Sequence, residues 1–246
     1  MAVSPDEKPT REEPRYVILE GVVGSTAYNL ATPTSDTDYL GVFVEPTINF
    51  LGLDGVPQRR QSWKQPGDVD RTLHEVAKYC AKVLDGNPTF MELLWLHPST
   101  YTRVSSWGWD LVGMRHLFLS ARPIRDSYLG YATQQFRKLF ERGDGSFSSD
   151  TRKRTAKHAR HMYRLLIQGF EVWSTGNLVV ALTDMAASHV RAFGERVADG
   201  EHDLAKKLLG EYEARFDSTP TTLPNEPDRE RIDQWLKRLR KDYLAY

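Results

Sequence analysis

The chain has 246 residues, and 33 lysines and arginines are balanced by 33 aspartates and glutamates. Global charge therefore argues against a dedicated non-specific nucleic-acid binder, while leaving room for a local basic face. A lone cysteine, Cys80, excludes a disulfide framework and fits a reducing, cytoplasmic setting, and no apolar run approaches the length of a membrane span. The length suits one sizeable core or two closely packed domains.

The first stretch, with Pro5, Asp6, Glu7, Lys8 and Pro9, is polar and proline-rich, the reverse of a signal peptide; residues 1–14 are expected to form a disordered tail. Tyr16–Val23 is rich in β-branched and apolar residues and predicts a strand, as does Tyr39–Val44. Between them lie a tight Gly24-Ser25 turn, a short helix and a loop ending in Asp36-Thr37-Asp38. On a strand Asp36 and Asp38 project to one side. Carboxylates this close repel unless a cation sits between them, and hard oxygen ligands suit Mg²⁺ or Mn²⁺. Gly24 lets backbone approach a ligand, and the amides of Ser25 and Thr26 at a helix N-terminus suit a phosphate. Ser-Asp-Thr-Asp alone is ordinary turn chemistry, and so is Gly-Ser after a strand. Their combination in strand-turn-helix-strand order is what points to a joined phosphate and metal site.

Glu45-Pro46 ends the second strand, and Thr47–Pro57 is expected to be an irregular excursion. Gln58–Lys64 predicts a further strand anchored by Trp63, followed by a Pro66-Gly67 turn. Asp68 and Asp70 offer two more carboxylates one residue apart, so periodicity does not choose between them. Thr72 with Glu75 forms a capping-box pattern, which predicts a helix from Thr72 and leaves Asp70 at the last extended position. Val76, Tyr79, Cys80 and Val83 continue at helical spacing to a stop at Gly86, and Asn87-Pro88 opens another helix with Met91, Leu94 and Trp95 on its apolar face. The stretch from His97 to Trp109 is mixed and aromatic, with Trp107-Gly108-Trp109 read as core in preference to pocket wall.

Strand signals cease near Ser120-Ala121-Arg122-Pro123, which divides an α/β part, residues 15–120, from a helical part, residues 121–246. Arg125–Arg142 predicts a helix with Tyr131, Gln135 and Lys138 on one face, and Gly143–Ser146 an exposed loop. The clearest helix runs from Thr151 to Thr175, stopped by Gly176-Asn177. Ala159, Met162, Leu166, Phe170 and Trp173 fall on one side of it, and Lys153, Lys157, Arg160, His161 and Arg164 on the other. That basic stripe is either a solvated face or a wall of the cleft holding phosphates. His158 and His161 are not spaced as a zinc pair. The remainder predicts helices interrupted at Gly194, Gly200 and Gly210, a loop over Pro220–Pro227 and a closing helix from Arg229 to Tyr246, with Ile232, Trp235, Leu236, Leu239 and Tyr243 inward.

The stretch from Gly24 to Asp38 resembles the nucleotidyltransferase signature of the DNA polymerase beta superfamily, in which Gly-Ser is followed after a short helix by Asp-x-Asp. Within it the chain is similar to a bacterial and phage group described as associated with an RNA-repair ligase. Asp70–Tyr79, Gly86–Leu94 and Tyr128–Gln135 carry that narrower likeness, which continues more weakly through Lys157–Arg164 to Leu223–Asp228. The resemblance implies an α+β fold, a small mixed β-sheet palm domain followed by an α-helical domain. It selects Asp70 over Asp68 and implies that Asp36, Asp38 and Asp70 hold two divalent cations, Mg²⁺ or Mn²⁺, as the catalytic set. Gly24, Ser25, Thr26, Lys157 and Arg164 would bind the nucleotide. The implied activity is transfer of a nucleoside monophosphate from a nucleoside triphosphate to an acceptor hydroxyl, such as an RNA or tRNA end, with pyrophosphate released. The alternative is a nucleotide-binding regulatory or toxin–antitoxin-type module of the same fold without turnover; the presence of all the carboxylates favours the enzyme.

Overall fold

A computed structural model describes residues 12–33, 35–53, 62–65, 69–140 and 149–244. Its organising element is a five-stranded mixed sheet in the order β3-β4-β2-β1-β5. β1 (Val17–Val23) and β2 (Asp38–Phe43) pair antiparallel around α1 (Gly24–Ala27), with Val23 opposite Asp38. β4 (Arg71–Glu75) runs parallel to β2, with Tyr39 opposite Arg71. β3 (Ser62–Lys64) and β5 (Tyr101–Val104) add antiparallel at the two edges. Because β2 and β4 are parallel and β1 is antiparallel to both, the end of β1 and the starts of β2 and β4 meet at one edge. The Tyr39 N–H, donating to the Asp70 carbonyl at 2.8 Å, fixes that meeting.

The parallel pairing overrides the capping-box pattern: residues 72–75 are strand, and α2 starts at Val76 (Val76–Leu84), capped by the Glu75 carboxylate on the Ala77 N–H at 2.8 Å. Gly86, at φ +68°, ends the α2 segment as expected, and Asn87 caps α3 (Pro88–Glu92) with Pro88 at its first position. The strand β5 was hidden in the aromatic stretch. Gly108 of α4 (Ser106–Gly113) packs so tightly that an added Cβ would lie 2.1 Å from the Ile18 carbonyl oxygen. Its neighbour Trp107 meets Trp235 edge-on, whereas Trp109, expected in the core, is 47 % exposed.

Five long helices follow: α5 (Ala121–Lys138), α6 (Ser149–Thr175), α7 (Asp184–Ala198), α8 (His202–Ser218) and α9 (Arg229–Asp242). Gly176, at φ +74°, stops α6 as expected. Gly194 and Gly210 do not interrupt helices; they lie inside α7 and α8. Gly194 lets α7 approach α6, since a Cβ there would meet Arg160 Cγ at 2.5 Å and the Ala156 carbonyl at 2.9 Å. The architecture is the expected α+β class. One cluster of buried apolar side chains runs from Ile18 and Leu19 of β1 through Leu166 of α6 to Leu239 of α9, and Cys80 is a buried member of it.

The expected loop at Gly143–Ser146, the turn at Pro66-Gly67, Asp68 and residues 58–61 of the expected third strand lie outside the described residues, as do residues 1–11. Glu13, assigned to the tail, instead takes part in the fold: it accepts from Arg71 at 2.8 Å and pairs with Arg103. The Arg71 hydrogen bond holds its carboxyl down at about 2. Among the described residues no helix is long and apolar enough to cross a membrane.

Candidate active site

The meeting edge of β1, β2 and β4 opens into a cleft of about 860 Å³. Gly24, Ser25, Asp36, Asp38 and Asp70 line one side, and Lys153, Lys157, Arg160 and His161 of α6 line the other. Gly24 sits at φ +70°, in the left-handed region that favours glycine. An added Cβ would lie 2.1 Å from Asp38 Oδ2, so the missing side chain is the space the carboxylate occupies. Asp36 lies in the loop before β2, and Asp38 is its first residue. Strand alternation therefore does not place Asp36; the loop turns it into the cleft.

Electrostatics register the convergence. Asp38 is raised above the ordinary carboxylate range, first by burial, then by the charges of Asp70 and Asp36, while Lys157 and Lys64 pull it back. Asp70 is drawn sideways to Lys64, with Nζ 3.1 Å from Oδ1. Among the described residues no group of three or more His, Cys, Asp or Glu side chains is placed, as it stands, to hold a metal ion. The donor set nonetheless has the hard-oxygen chemistry of a Mg²⁺ or Mn²⁺ site, and the mutual repulsion felt at Asp38 is the kind a divalent cation relieves.

Behind the turn lies a buried network. The Tyr28 hydroxyl donates to Glu92, and the guanidinium of Arg164 stacks 3.8 Å from the centre of the Tyr28 ring. Arg164 Nη1 donates to Gln168 Oε1 at 2.6 Å, and Gln168 anchors itself on the Val179 and Val180 carbonyls at 3.1 and 2.9 Å. Glu92 is 3 % exposed and reaches the cleft floor. Burial pushes its carboxyl up to about 7, against the pull of Arg164, the Tyr28 hydroxyl and the Gly24 backbone N–H.

Of the residues singled out from the sequence, Gly24, Ser25, Asp36, Asp38, Asp70 and Lys157 share this cleft. Thr26 is exposed on α1 and not among the lining residues, and Arg164 is 6 % exposed, spent on Tyr28 and Gln168 beneath the surface. Arg164 is thus a correction to the basic stripe: the side chain at its inner end is a strut. Lys153, Lys157 and Arg160 carry no ion pair among the described residues, unlike their neighbour Arg152, which is bound to Glu195 and Asp199. His161 is held neutral, burial lowering it to about 3. The sequence reading did not single out Glu92, Thr72, His74 or Thr89, which complete the floor.

A family model described as RlaP, RNA repair pathway DNA polymerase beta family, matches residues 7–238. No curated protein matches the chain.

Proposed function

Because the chain belongs to the RNA repair pathway DNA polymerase beta family, we propose that it is a metal-dependent nucleotidyltransferase, moving a nucleoside monophosphate from a nucleoside triphosphate to an acceptor hydroxyl such as an RNA end. The observation that carries this is the convergence of Asp36, Asp38 and Asp70 in one cleft, beside a glycine turn and facing cations from α6. Asp36, Asp38 and Asp70 would hold two Mg²⁺ or Mn²⁺ ions, which when bound activate the attacking hydroxyl and neutralise the leaving pyrophosphate. The Gly24-Ser25 turn and Lys157 receive the β- and γ-phosphates, with Lys153 and Arg160 adding positive charge. The acceptor oxygen bonds to the α-phosphorus, the bond from that phosphorus to the bridging β-phosphate oxygen breaks, and the hydroxyl proton leaves to solvent. Glu92 and Tyr28 hold the turn from behind.

Incubation with each α-labelled nucleoside triphosphate, Mg²⁺ or Mn²⁺ and total RNA, followed by locating the label, tests the reading. Label is expected on RNA with stoichiometric pyrophosphate, and Asp38→Asn is expected to lower the rate at least about a hundredfold while remaining folded by circular dichroism. Nucleotide binding with no transfer to any acceptor would instead identify a module without turnover.

A further inference from the structure

In-line displacement puts the attacking and leaving oxygens on opposite sides of the phosphorus. The phosphate-binding turn is at the end of β1, and Asp38 begins the next strand, β2. Beyond β2 comes β4, about 10 Å from β1 at the usual strand spacing. Given the transfer reading above, on which this step rests, a triphosphate seated at the turn directs the attacking side of its α-phosphate toward β4 and β3.

What stands there is distinctive. Thr72 and His74 alternate onto the cleft face of β4 and line its floor. Their cross-strand partners on β3 are Lys64 and Ser62. The Ser62 hydroxyl and His74 Nδ1 are 2.8 Å apart, and Lys78 of α2 donates to the same hydroxyl at 2.5 Å. The His74 ring packs on Phe90 with centroids 4.6 Å apart. Burial, then the Lys78 charge, lowers His74 to about 4, so it meets a ligand as a neutral hydrogen-bonding ring. Lys64, 65 % exposed at the side chain, stands at the rim on Asp70. Two ammonium groups thus flank a floor of hydroxyls and a neutral imidazole. A cationic acceptor would be repelled, whereas a phosphodiester can share the ammonium groups that rest on Asp70 and Ser62 and offers hydroxyls and base edges to Thr72 and His74.

We infer that the cleft face of β3 and β4, carried by Lys64, Thr72, His74 and Lys78, is the acceptor subsite and holds the end of a single-stranded RNA by its phosphodiester backbone.

The test is binding, measured without turnover. A short single-stranded RNA with a free 3′ hydroxyl and a 5′ fluorophore is titrated by anisotropy in metal-free buffer, and ATP binding is measured separately by calorimetry with Mg²⁺. The double variant K64Q/K78Q is expected to bind this RNA about tenfold more weakly, with the slope of log affinity against log salt shallower by about 0.7 for each phosphate no longer neutralised. In the single variant K78Q, whose lysine contacts Ser62 and none of the aspartates, ATP affinity should stay within about twofold. In steady state His74→Ala should raise KM for RNA and leave KM for the nucleotide unchanged. Unchanged RNA affinity in K64Q/K78Q, or equal loss for RNA and ATP in K78Q, overturns the subsite. The two readings fail separately: RNA binding that depends on the lysines without any transfer removes the enzymatic reading alone, whereas transfer that is indifferent to Lys64, His74 and Lys78 removes the subsite alone.

Discussion

Replacing Gly24 by alanine would set a methyl carbon against the Asp38 carboxylate and force a left-handed backbone on a residue that resists it. The backbone term is about 1–2 kcal/mol. Displacement of Asp38 is the larger consequence, and G24A is expected to lose about a hundredfold in transfer rate with only a modest fall in melting temperature. Glu92 gives a pH-dependent counterpart. Its carboxyl is raised by burial from 4.5 to about 7, so between those values the native state keeps a proton that the unfolded chain releases, and this group's contribution to stability falls as pH rises. His74 and His161, lowered to about 4 and about 3, act in the opposite sense: their contribution is full above 6.5 and is lost as pH falls toward those values. Both wild type and E92Q share the histidines, so the comparison isolates the glutamate. E92Q is expected to gain stability relative to wild type as pH is raised from about 5 to 7, by about 1.4 kcal/mol per pH unit at most, measured by thermal melting; a constant difference across that range would show that Glu92 does not titrate there. Glu92 was not legible as a site residue because its partner Tyr28 is 64 positions away, although a carboxylate amid Met91, Leu93 and Leu94, all buried, was a usable signal. The burial of Arg164 was not legible for a related reason: helical projection gives a side chain's direction, and says nothing of an aromatic ring arriving from another element.

At the level of elements, the strand-turn-helix-strand unit was readable because its residues are contiguous and its alternation is strong. The start of α2 was not, since Thr72 and Glu75 fit a helix cap locally and only the non-local ladder with β2 makes them strand. Glycine shows the same split. From sequence Gly194 and Gly210 look equally like helix breaks, but one faces a neighbour and the other open space. G194A should overpack the α6–α7 contact and destabilise by about 1–3 kcal/mol, shifting Arg160 in the cleft. G210A, with nothing within 4 Å, should stabilise α8 by about 0.5–1 kcal/mol. Denaturant midpoints at constant slope give both signs; a stabilised G194A would mean that the two helices are not in close contact.

Taken as a whole, the chain joins its α/β and helical parts at many points. Leu182 N–H donates to the Tyr28 carbonyl at 3.2 Å, and the mostly buried pair of Arg240 with Glu75, 2.7 Å apart, ties α9 back to the end of β4. Thr47 Oγ1 donates to the Arg240 carbonyl at 2.7 Å. The boundary placed near Ser120 marks where strands cease, and the shared apolar cluster crosses it. We therefore expect one cooperative unfolding transition, with tryptophan fluorescence and far-ultraviolet circular dichroism coinciding, and no stable fold for residues 15–120 expressed alone. Two separated transitions would show independent domains.

The stacking of Arg164 on Tyr28 bears on how this molecule accommodates its ligands. One partner rides on the long basic helix and the other on the glycine bend, so the anionic and cationic banks are pinned to each other at their root. Prising them apart would strand a guanidinium and a phenol in a dry interior, a penalty no surface lysine would repay. Adjustment to cargo must then come from the outer ends, where Lys153 and Lys157 stand in water on one bank and Lys64 on the other, while the gap at the base stays constant.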